Sequence, residues 1–347
     1  MLESPFADEL IKGSNLISGK GILEDSGENV GERSNIPVEE IDYAFILNKI
    51  LPRDIRVLGW SPVAQEFDAR HSCKGRAYRY FFPRDTLDFL ALKQASNYFV
   101  GTHDFRNLSS SQVKNGVFEC VRDIKSIEIE TPKGDIVSSF GDSEPHEIFC
   151  LHIKAPSFLY HQIRCMVAFI MIVGAGLEPP EASSLSFFSI MQLIQDLLDI
   201  NKYPSRPQYK MASDFPLVFC DTEFNDLEWK ISKDALEGLI RSYHRYTTEL
   251  GIKHETVRNF LAAVNTEYNI TYPSIKLGSY YLEHIVEETK CKNGKSFKKI
   301  FNRPVGPTIE TQIDKLGGRE AIINKIRFNS DKEISEPLQK RLRTDPS

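Results

Sequence analysis

Between Phe67 and Pro83 the chain reads FDARHSCKGRAYRYFFP, and this stretch restricts the fold more tightly than bulk composition does. Residues 70 to 84 carry five Lys or Arg side chains (Arg70, Lys74, Arg76, Arg79 and Arg84) and no Asp or Glu, although the 347-residue chain has a formal charge of -5. A strand over Lys74 to Phe82, with its period of two, sets Lys74, Arg76, Tyr78, Tyr80 and Phe82 on one face and Gly75, Ala77, Arg79 and Phe81 on the other. One face is then basic and aromatic. Such a face suits a polyanion whose bases stack on rings while its phosphates meet cations. A half-buried strand whose Arg stems run along apolar surface, with their heads in water, would give the same pattern.

The negative charge is not spread evenly. Residues 1 to 42 hold ten acidic and three basic side chains, whereas the remaining 305 hold 38 acidic and 40 basic, so the body of the protein is slightly basic. Charge alone therefore does not exclude a nucleic-acid partner. With 41% hydrophobic and 11% aromatic residues the chain has ample material for a packed core. Six widely spaced cysteines (Cys73, Cys120, Cys150, Cys165, Cys220 and Cys291) form no C-x-x-C pair and sit mostly in apolar runs, as reduced structural thiols do. No basic segment leads into an apolar one at the N-terminus, and the longest nearly apolar run, Cys165 to Leu177, is shorter than the roughly 20 helical residues that span a bilayer. An intracellular protein without a membrane anchor is expected, in the cytoplasm, the nucleus or both.

Residues 1 to 37 show no sustained periodicity and read as an acidic, disordered segment. A helix is expected from Pro37 through Leu51, with acids in its first turn, and strands over Ile55 to Val63 and Lys74 to Phe82. Thr86 to Phe99 reads as an amphipathic helix, and GTHDFRNL (Gly101 to Leu108) as a loop rich in hydrogen-bonding side chains. Three further strands are expected over Val121 to Glu130, Ile136 to Phe140 and Glu147 to Ala155. Next comes a helix from Leu159 to Gly174 that is apolar nearly all round and hence central. A helix over Phe187 to Ile200, a short strand over Leu217 to Asp221, one or two helices from Ser232 to Asn269 and a basic, irregular remainder from Tyr272 complete the chain. Strands and helices alternate without a strict β-α-β rhythm, so the fold class is α+β: a mixed or antiparallel sheet with helices on one face.

Metal, thiol and nucleotide chemistry find little support. His146, Cys150 and His152 share one face of a strand, but no fourth ligand has suitable spacing, and no metal site is assigned. His71 and Cys73 are close in sequence without a third orienting group. Neither G-x-G-x-x-G nor G-x-x-x-x-G-K-[ST] occurs. The stretch FLYHQIRC (Phe158 to Cys165) is more informative, because it opens a buried helix with a cationic cluster. Arg164 entering such a helix points to a carboxylate partner, either a structural ion pair or part of a site.

Taken together, FDARHSCKGRAYRYFF, GTHDFRNL, FLYHQIRCM and QYKMASDFPLVF (Gln208 to Phe219) resemble, in order and spacing, the TruA-type tRNA pseudouridine synthases. Within that family the chain is more similar to the eukaryotic branch that modifies uridines 38 and 39 of the anticodon stem-loop. The likeness covers roughly residues 38 to 230 and is loose from Ser232 onward. It implies the TruA-like fold, tRNA as partner, a homodimer, no cofactor, and an isomerisation in which the N1–C1′ bond of a flipped uridine breaks and the base rejoins through C5. By motif match Tyr78 takes the tyrosine that lies against the uracil, and Arg164 the arginine that pairs with the nucleophilic Asp. Arg70, Arg76, His103, Asp104, Phe105, Arg106 and His161 are implied to line the cleft or meet RNA. From the basic-aromatic face, Lys74 and Tyr80 are expected to join them.

The family's catalytic Asp belongs to a G-R-T-D-x-G-x-x-A motif, and nothing in residues 1 to 50 matches it. Asp54 and Asp68 occupy positions that match non-catalytic segments. The expected organisation is thus residues 1–37 as the acidic segment, 38–63 as a remnant of an N-terminal synthase domain, 64–230 as a C-terminal synthase domain and 231–347 as an extension. Three readings stay open: a synthase whose polypeptide as written is inactive or impaired, a non-catalytic tRNA-binding protein, and an unstable fragment with an exposed sheet edge.

Overall fold

The structure is a computed structural model that describes residues 40–141, 143, 146–178, 187–267 and 297–335. The segment 1–37 and Cys291 therefore lie outside the described residues. The chain divides into two compact units, residues 1–72 with 225–271 and residues 73–224 with 272–347.

In the first unit, helix α1 (Tyr43–Ile50) begins where the Asp42 carboxylate accepts the Phe45 N–H at 2.9 Å. The expected start near Pro37 is too early: Glu40 and Ile41 precede the helix, because Asp42 caps it. Asn48 closes the following turn, its amide nitrogen donating to the Val57 carbonyl and its oxygen accepting the Val57 N–H, both at 2.8 Å. The strand expected over Ile55 to Val63 does not form. Only an isolated antiparallel bridge, Trp60 with Lys230, marks it. A run flanked by Pro52 and Pro62 with Gly59 inside supplies poor ladder material. Around that bridge the Lys230 ammonium lies 4.5 Å from the Trp60 ring and 3.0 Å from Glu40, and Tyr43 meets Trp60 edge-on.

The 35-residue helix of this unit, which keeps one continuous axis rather than two, runs over Lys233–Glu267. Leu239 is buried near its start, while Tyr243, Tyr246, Leu250, Val257, Phe260 and Val264 are exposed among the described residues. Their spacing alternates four and three, with Lys253 filling the one gap, and so makes a single stripe along the helix.

The second unit is built on an antiparallel sheet of four strands: β1 (Gly75–Pro83), β4 (Ser126–Glu130), β5 (Ile148–Ala155) and β6 (Leu217–Glu223), in the order β4-β5-β1-β6. Helix α2 (Phe89–Tyr98) is capped by Asp88. Strands β2 (Gly101–Asp104) and β3 (Val121–Ile124) pair as a separate ribbon. The strand expected over Val121 to Glu130 is therefore two strands in two sheets, divided at Lys125, and Ile136 to Phe140 contributes only a bridge from Ile136 to Glu130. Helices α3 (Gln162–Gly174) and α4 (Phe187–Leu198) follow β5. With the first unit's long helix numbered α5 in chain order, the C-terminal segment adds α6 (Ile309–Lys315) and α7 (Arg319–Ser335). An irregular remainder was expected there. Thr308 caps α6 by accepting the Thr311 N–H at 3.1 Å, a local device that periodicity does not reveal.

Strand register decides where the core sits. Tyr80 pairs with Leu151, Tyr78 with Ile153 and Phe82 with Phe149 across β1 and β5, so one face of the sheet gathers these rings and branched chains. They join Leu92, Met166, Ile170 and Ile194 from α2, α3 and α4 in one core cluster. Helix α3 is buried at every position from Cys165 to Gly174, as its all-round apolar sequence requires. Its last residue must be small. A Cβ at Gly174 would lie 2.6 Å from Leu92 Cδ2, and the Leu92 side chain is itself fully buried. Gly174→Ala should therefore destabilise the fold by roughly 1–2 kcal/mol, the overpacking cost exceeding the gain in helix propensity. Chemical denaturation would measure it, and an unchanged midpoint would contradict this packing.

Candidate functional site

The basic-aromatic face of β1 exists, but burial grades along it. Phe82 and Tyr80 are enclosed, Tyr78 and Arg76 are half-buried, and Lys74 is exposed just ahead of the strand. Only the N-terminal end of the face is therefore open to a ligand. Tyr80, expected to meet RNA, is a core residue, and its phenol donates to the Ser213 carbonyl at 3.0 Å. Burial pushes that phenol far above its ordinary pKa.

At the open end the β1–β6 ladder shifts register between Ala77 and Tyr78, a bulge of the kind that re-aims a side chain. The Tyr78 ring sits between Phe158, met edge-on with centroids 5.4 Å apart, and Phe219, tilted at 4.8 Å. Desolvation raises the Tyr78 pKa, with the nearby Arg76 charge acting the other way, so the side chain is a neutral phenol at pH 7. Arg76 donates to the Pro156 carbonyl at 2.7 Å, which ties β1 to the end of β5. Arg79, on the opposite face, is held by Glu130 at 3.0 Å, and Glu130 also bonds His152 at 2.6 Å. Glu128, Glu130 and His152 are the one group of three potential metal ligands among the described residues, and Glu130 is already engaged by Arg79 and His152.

Arg164 enters at the first turn of α3. Among the described residues it has no buried carboxylate of the kind that an Arg in this position suggests. Its Nε donates to the Ala212 carbonyl at 2.7 Å, while Asp214, 81% exposed, stands 3.9 Å from an outer nitrogen. The Ala212 N–H returns a bond to the Arg164 carbonyl at 3.1 Å. Helix α3 and the lead-in to β6 are thereby joined at the segment that also receives the Tyr80 phenol.

His161, just before α3, has the left-handed backbone φ of 60°, uncommon outside glycine. Its ring stacks on Tyr160 at 3.6 Å, and its Nδ1 lies 3.0 Å from the Ser110 hydroxyl. Desolvation lowers its pKa, helped by the charges of Arg164 and Arg206.

The GTHDFRNL segment turns inward more than outward. Phe105, expected at the cleft, is fully buried beside Phe99. Asp104 and Arg106 form a two-pronged pair, with Nη2 to Oδ2 at 2.9 Å, so each answers the other's charge. His103 bonds the Val100 carbonyl at 3.1 Å. Asn107 ties together the ends of α4 and its following turn, donating to the carbonyls of Leu197 and Tyr203. Arg70, another of the expected RNA contacts, belongs to the first unit.

Within the second unit the structure thus gathers Arg76 and Tyr78, with Phe158 and Phe219 as ring partners that sequence reading left unassigned. Both partners lay inside quoted motifs, yet only the register of β6 and the loop before α3 identifies them. Five described cysteines (Cys73, Cys120, Cys150, Cys165 and Cys220) are free, and burial pushes the Cys120 and Cys150 thiols up to about 11, which suits packing rather than nucleophilic use.

Comparison with known proteins adds a family. Residues 95–225 match a family model described as tRNA pseudouridine synthase. The human tRNA pseudouridine(38/39) synthase is 34% identical over 322 residues, which cover 87% of this chain and 62% of that protein. The tRNA pseudouridine(38/39) synthase of Saccharomyces cerevisiae is 36% identical over 195 residues, 55% of this chain and 38% of its own length. The tRNA pseudouridine synthase A of Methanothrix thermoacetophila is 30% identical over 218 residues, 61% of this chain and 69% of its own. This chain spans about three-fifths of the length of the human and bovine relatives, at 62% of each.

Folding depresses the His161 pKa, so the unfolded chain binds the extra proton as the pH falls below the ordinary histidine value of about 6.5. The contribution of neutral His161 is complete above that value and is lost as the pH falls through the lower folded one. Melting temperatures of the wild type and His161→Gln, taken from about pH 7.5 to about pH 5, should show the wild-type advantage shrinking on acidification. An advantage that grows in acid would contradict this environment.

Proposed function

The chain belongs to the tRNA pseudouridine synthase family, and from that premise we propose that its second unit forms the uracil-facing wall of a tRNA-modifying site. The antiparallel sheet with its helical core is the α+β, TruA-like architecture of that family. One observation carries the functional reading. Tyr78 is the half-buried aromatic at the open end of a basic strand, backed by Phe158 and Phe219. A ring so backed does not collapse into the core, and its remaining surface is available to a flipped base. Arg76 and Lys74 supply cations on the same side for the phosphates. Residues Arg76, Tyr78 and Arg164 take, on this reading, the roles of phosphate contact, stacking platform and charge partner for a carboxylate.

The reaction is an isomerisation. The N1–C1′ bond of uridine breaks, the base turns, a C5–C1′ bond forms, and the proton lost from C5 is balanced by one gained at N1. No oxidant, reductant or cofactor enters that balance. It does require a carboxylate nucleophile. Among the described residues the carboxylate within 4 Å of Arg164 is the exposed Asp214, and residues 1 to 50 carry no G-R-T-D motif. We therefore propose that the 347-residue polypeptide binds tRNA without turning it over, and that a carboxylate from another segment completes the site. The anticodon-loop positions named for the human and yeast relatives are the proposed targets. The free thiols support a nuclear or cytoplasmic setting, and no helix among the described residues is long and apolar enough to cross a membrane.

Incubating the purified polypeptide with unmodified tRNA should yield no pseudouridine, while tRNA binding weakens at least about tenfold between ~50 and ~200 mM salt. Tyr78→Ala should cost about 1–3 kcal/mol of that binding. Robust turnover would sink the proposal of an incomplete site, and salt-independent binding the basic face.

A homodimer is proposed as well, supported by the exposed stripe Tyr243, Tyr246, Leu250, Val257, Phe260 and Val264 on α5, whose four-three spacing is that of a coiled-coil seam. Sedimentation equilibrium should find a dimer for the wild type and a monomer for the double variant Leu250→Glu, Val257→Glu. A wild-type monomer overturns it.

A further inference from the structure

Away from Tyr78, the second unit holds a cavity of about 710 Å³, within the range of small-ligand sites. Four chain segments wall it: the stretch after Arg106, Leu159 ahead of α3, the run from Pro204 to Met211, and the C-terminal extension from Gly306 to the start of α6. One backbone and one side-chain bond brace these walls: the Gly306 N–H donates to the Arg206 carbonyl at 3.0 Å, and the Ser111 hydroxyl donates to the Gln312 side-chain oxygen at 2.5 Å. Arg106, Arg206 and Lys210 line it, and Arg106 is already paired with Asp104 and stands 3.8 Å from Glu310.

Arg206 is the informative member. Its two outer nitrogens donate to the carbonyls of Ser109 at 3.3 Å and Tyr209 at 3.0 Å, and its guanidinium lies 4.3 Å over the Tyr209 ring. Tyr209 is itself anchored, its phenol donating to the Asn107 carbonyl at 2.8 Å. The guanidinium is thus fixed in place. Among the described residues no carboxylate pairs with it, and two of its five N–H donors are used. A half-buried, immobilised guanidinium with spare donors and no counter-ion is suited to a bidentate oxyanion such as phosphate. The lining also includes the apolar side chains Val113, Leu159, Met211 and Ile309. Cationic and apolar lining together suit a phosphate joined to a flat, weakly polar group, as in a nucleotide.

Position ties this cavity to the first site. Phe158 packs on Tyr78, and the next residue, Leu159, lines the cavity, so one loop serves both places. We propose that the cavity is a second nucleotide site, taking a phosphate-bearing nucleotide of the same bound RNA whose target uridine stacks on Tyr78. This rests on the tRNA-binding reading above. It goes beyond that reading in assigning Arg206 and the C-terminal extension to RNA recognition.

The test uses the full chain with uridine 5′-monophosphate, uridine and inorganic phosphate as probes in calorimetric titrations, followed by competition with tRNA. The monophosphate should bind at least about tenfold more tightly than uridine, as a charged contact in place of none implies. Arg206→Gln and the exposed Lys210→Glu should each weaken it severalfold in a chain that remains folded, and tRNA should displace it. Should Arg206→Gln fail to fold, Lys210→Glu alone decides. Equal binding by the variants overturns the site. A bound monophosphate that tRNA does not displace overturns the RNA source and indicates a free nucleotide. If tRNA binds the wild type and both variants equally, the second site falls while the Tyr78 reading stands. If tRNA does not bind the wild type, the tRNA reading fails, and with it this proposal.

Discussion

Two side chains committed to one short backbone segment organise the second unit. The Tyr80 phenol reaches the Ser213 carbonyl from β1, and the Arg164 guanidinium reaches the Ala212 carbonyl from α3. An enclosed phenol and a largely buried guanidinium each need a partner, because leaving either unsatisfied costs on the order of 1–3 kcal/mol or more. Backbone carbonyls supply the partners. In consequence the central helix, the central strand and the entry to β6 are fixed relative to each other through polar contacts that tolerate little displacement. The apolar contacts around α3 provide the stability, whereas these bonds select the geometry.

Strongly patterned elements were legible in the sequence for a simple reason. The segment from Leu159 to Gly174 has no polar face to expose, so it had to be central, and the structure buries it from Cys165 onward. β1 and β5 were read within a residue or so of their observed bounds, because alternation and flanking turns coincide there. Failures fell where local pattern and tertiary context part company. Ile55 to Val63 looks like a strand, yet a strand needs a neighbour, and among the described residues Trp60 bridges to Lys230 alone. Helices α6 and α7 carry few apolar residues, among them Ile309, Ile313 and Ile322, so their sequence offers little period to read.

The candidate site shows the same division. Period two placed Tyr78 and Tyr80 together on one face, and it could not say that one stays half-buried at the open end and the other is a core residue. Depth along a strand is set by what packs across it. Likewise GTHDFRNL advertises hydrogen-bonding capacity without saying where it is spent. Asp104 and Arg106 satisfy each other, and Asn107 serves α4 and the turn after it. Phe158 and Phe219 were invisible as partners of Tyr78 because one comes from a loop and the other from a strand 141 residues downstream in the chain.

The bridge between Trp60 and Lys230 has a kinetic consequence. The first unit is assembled from two chain segments that bracket residues 73–224, so its defining contact closes a loop across an entire folded sheet. For a flexible chain the closure entropy grows as about (3/2)RT ln n, and a compact insert shortens the effective n. The first unit is therefore expected to consolidate after the second, with a folding rate that depends on the order of events. Its integrity becomes a readout of whether the sheet between its halves has already formed.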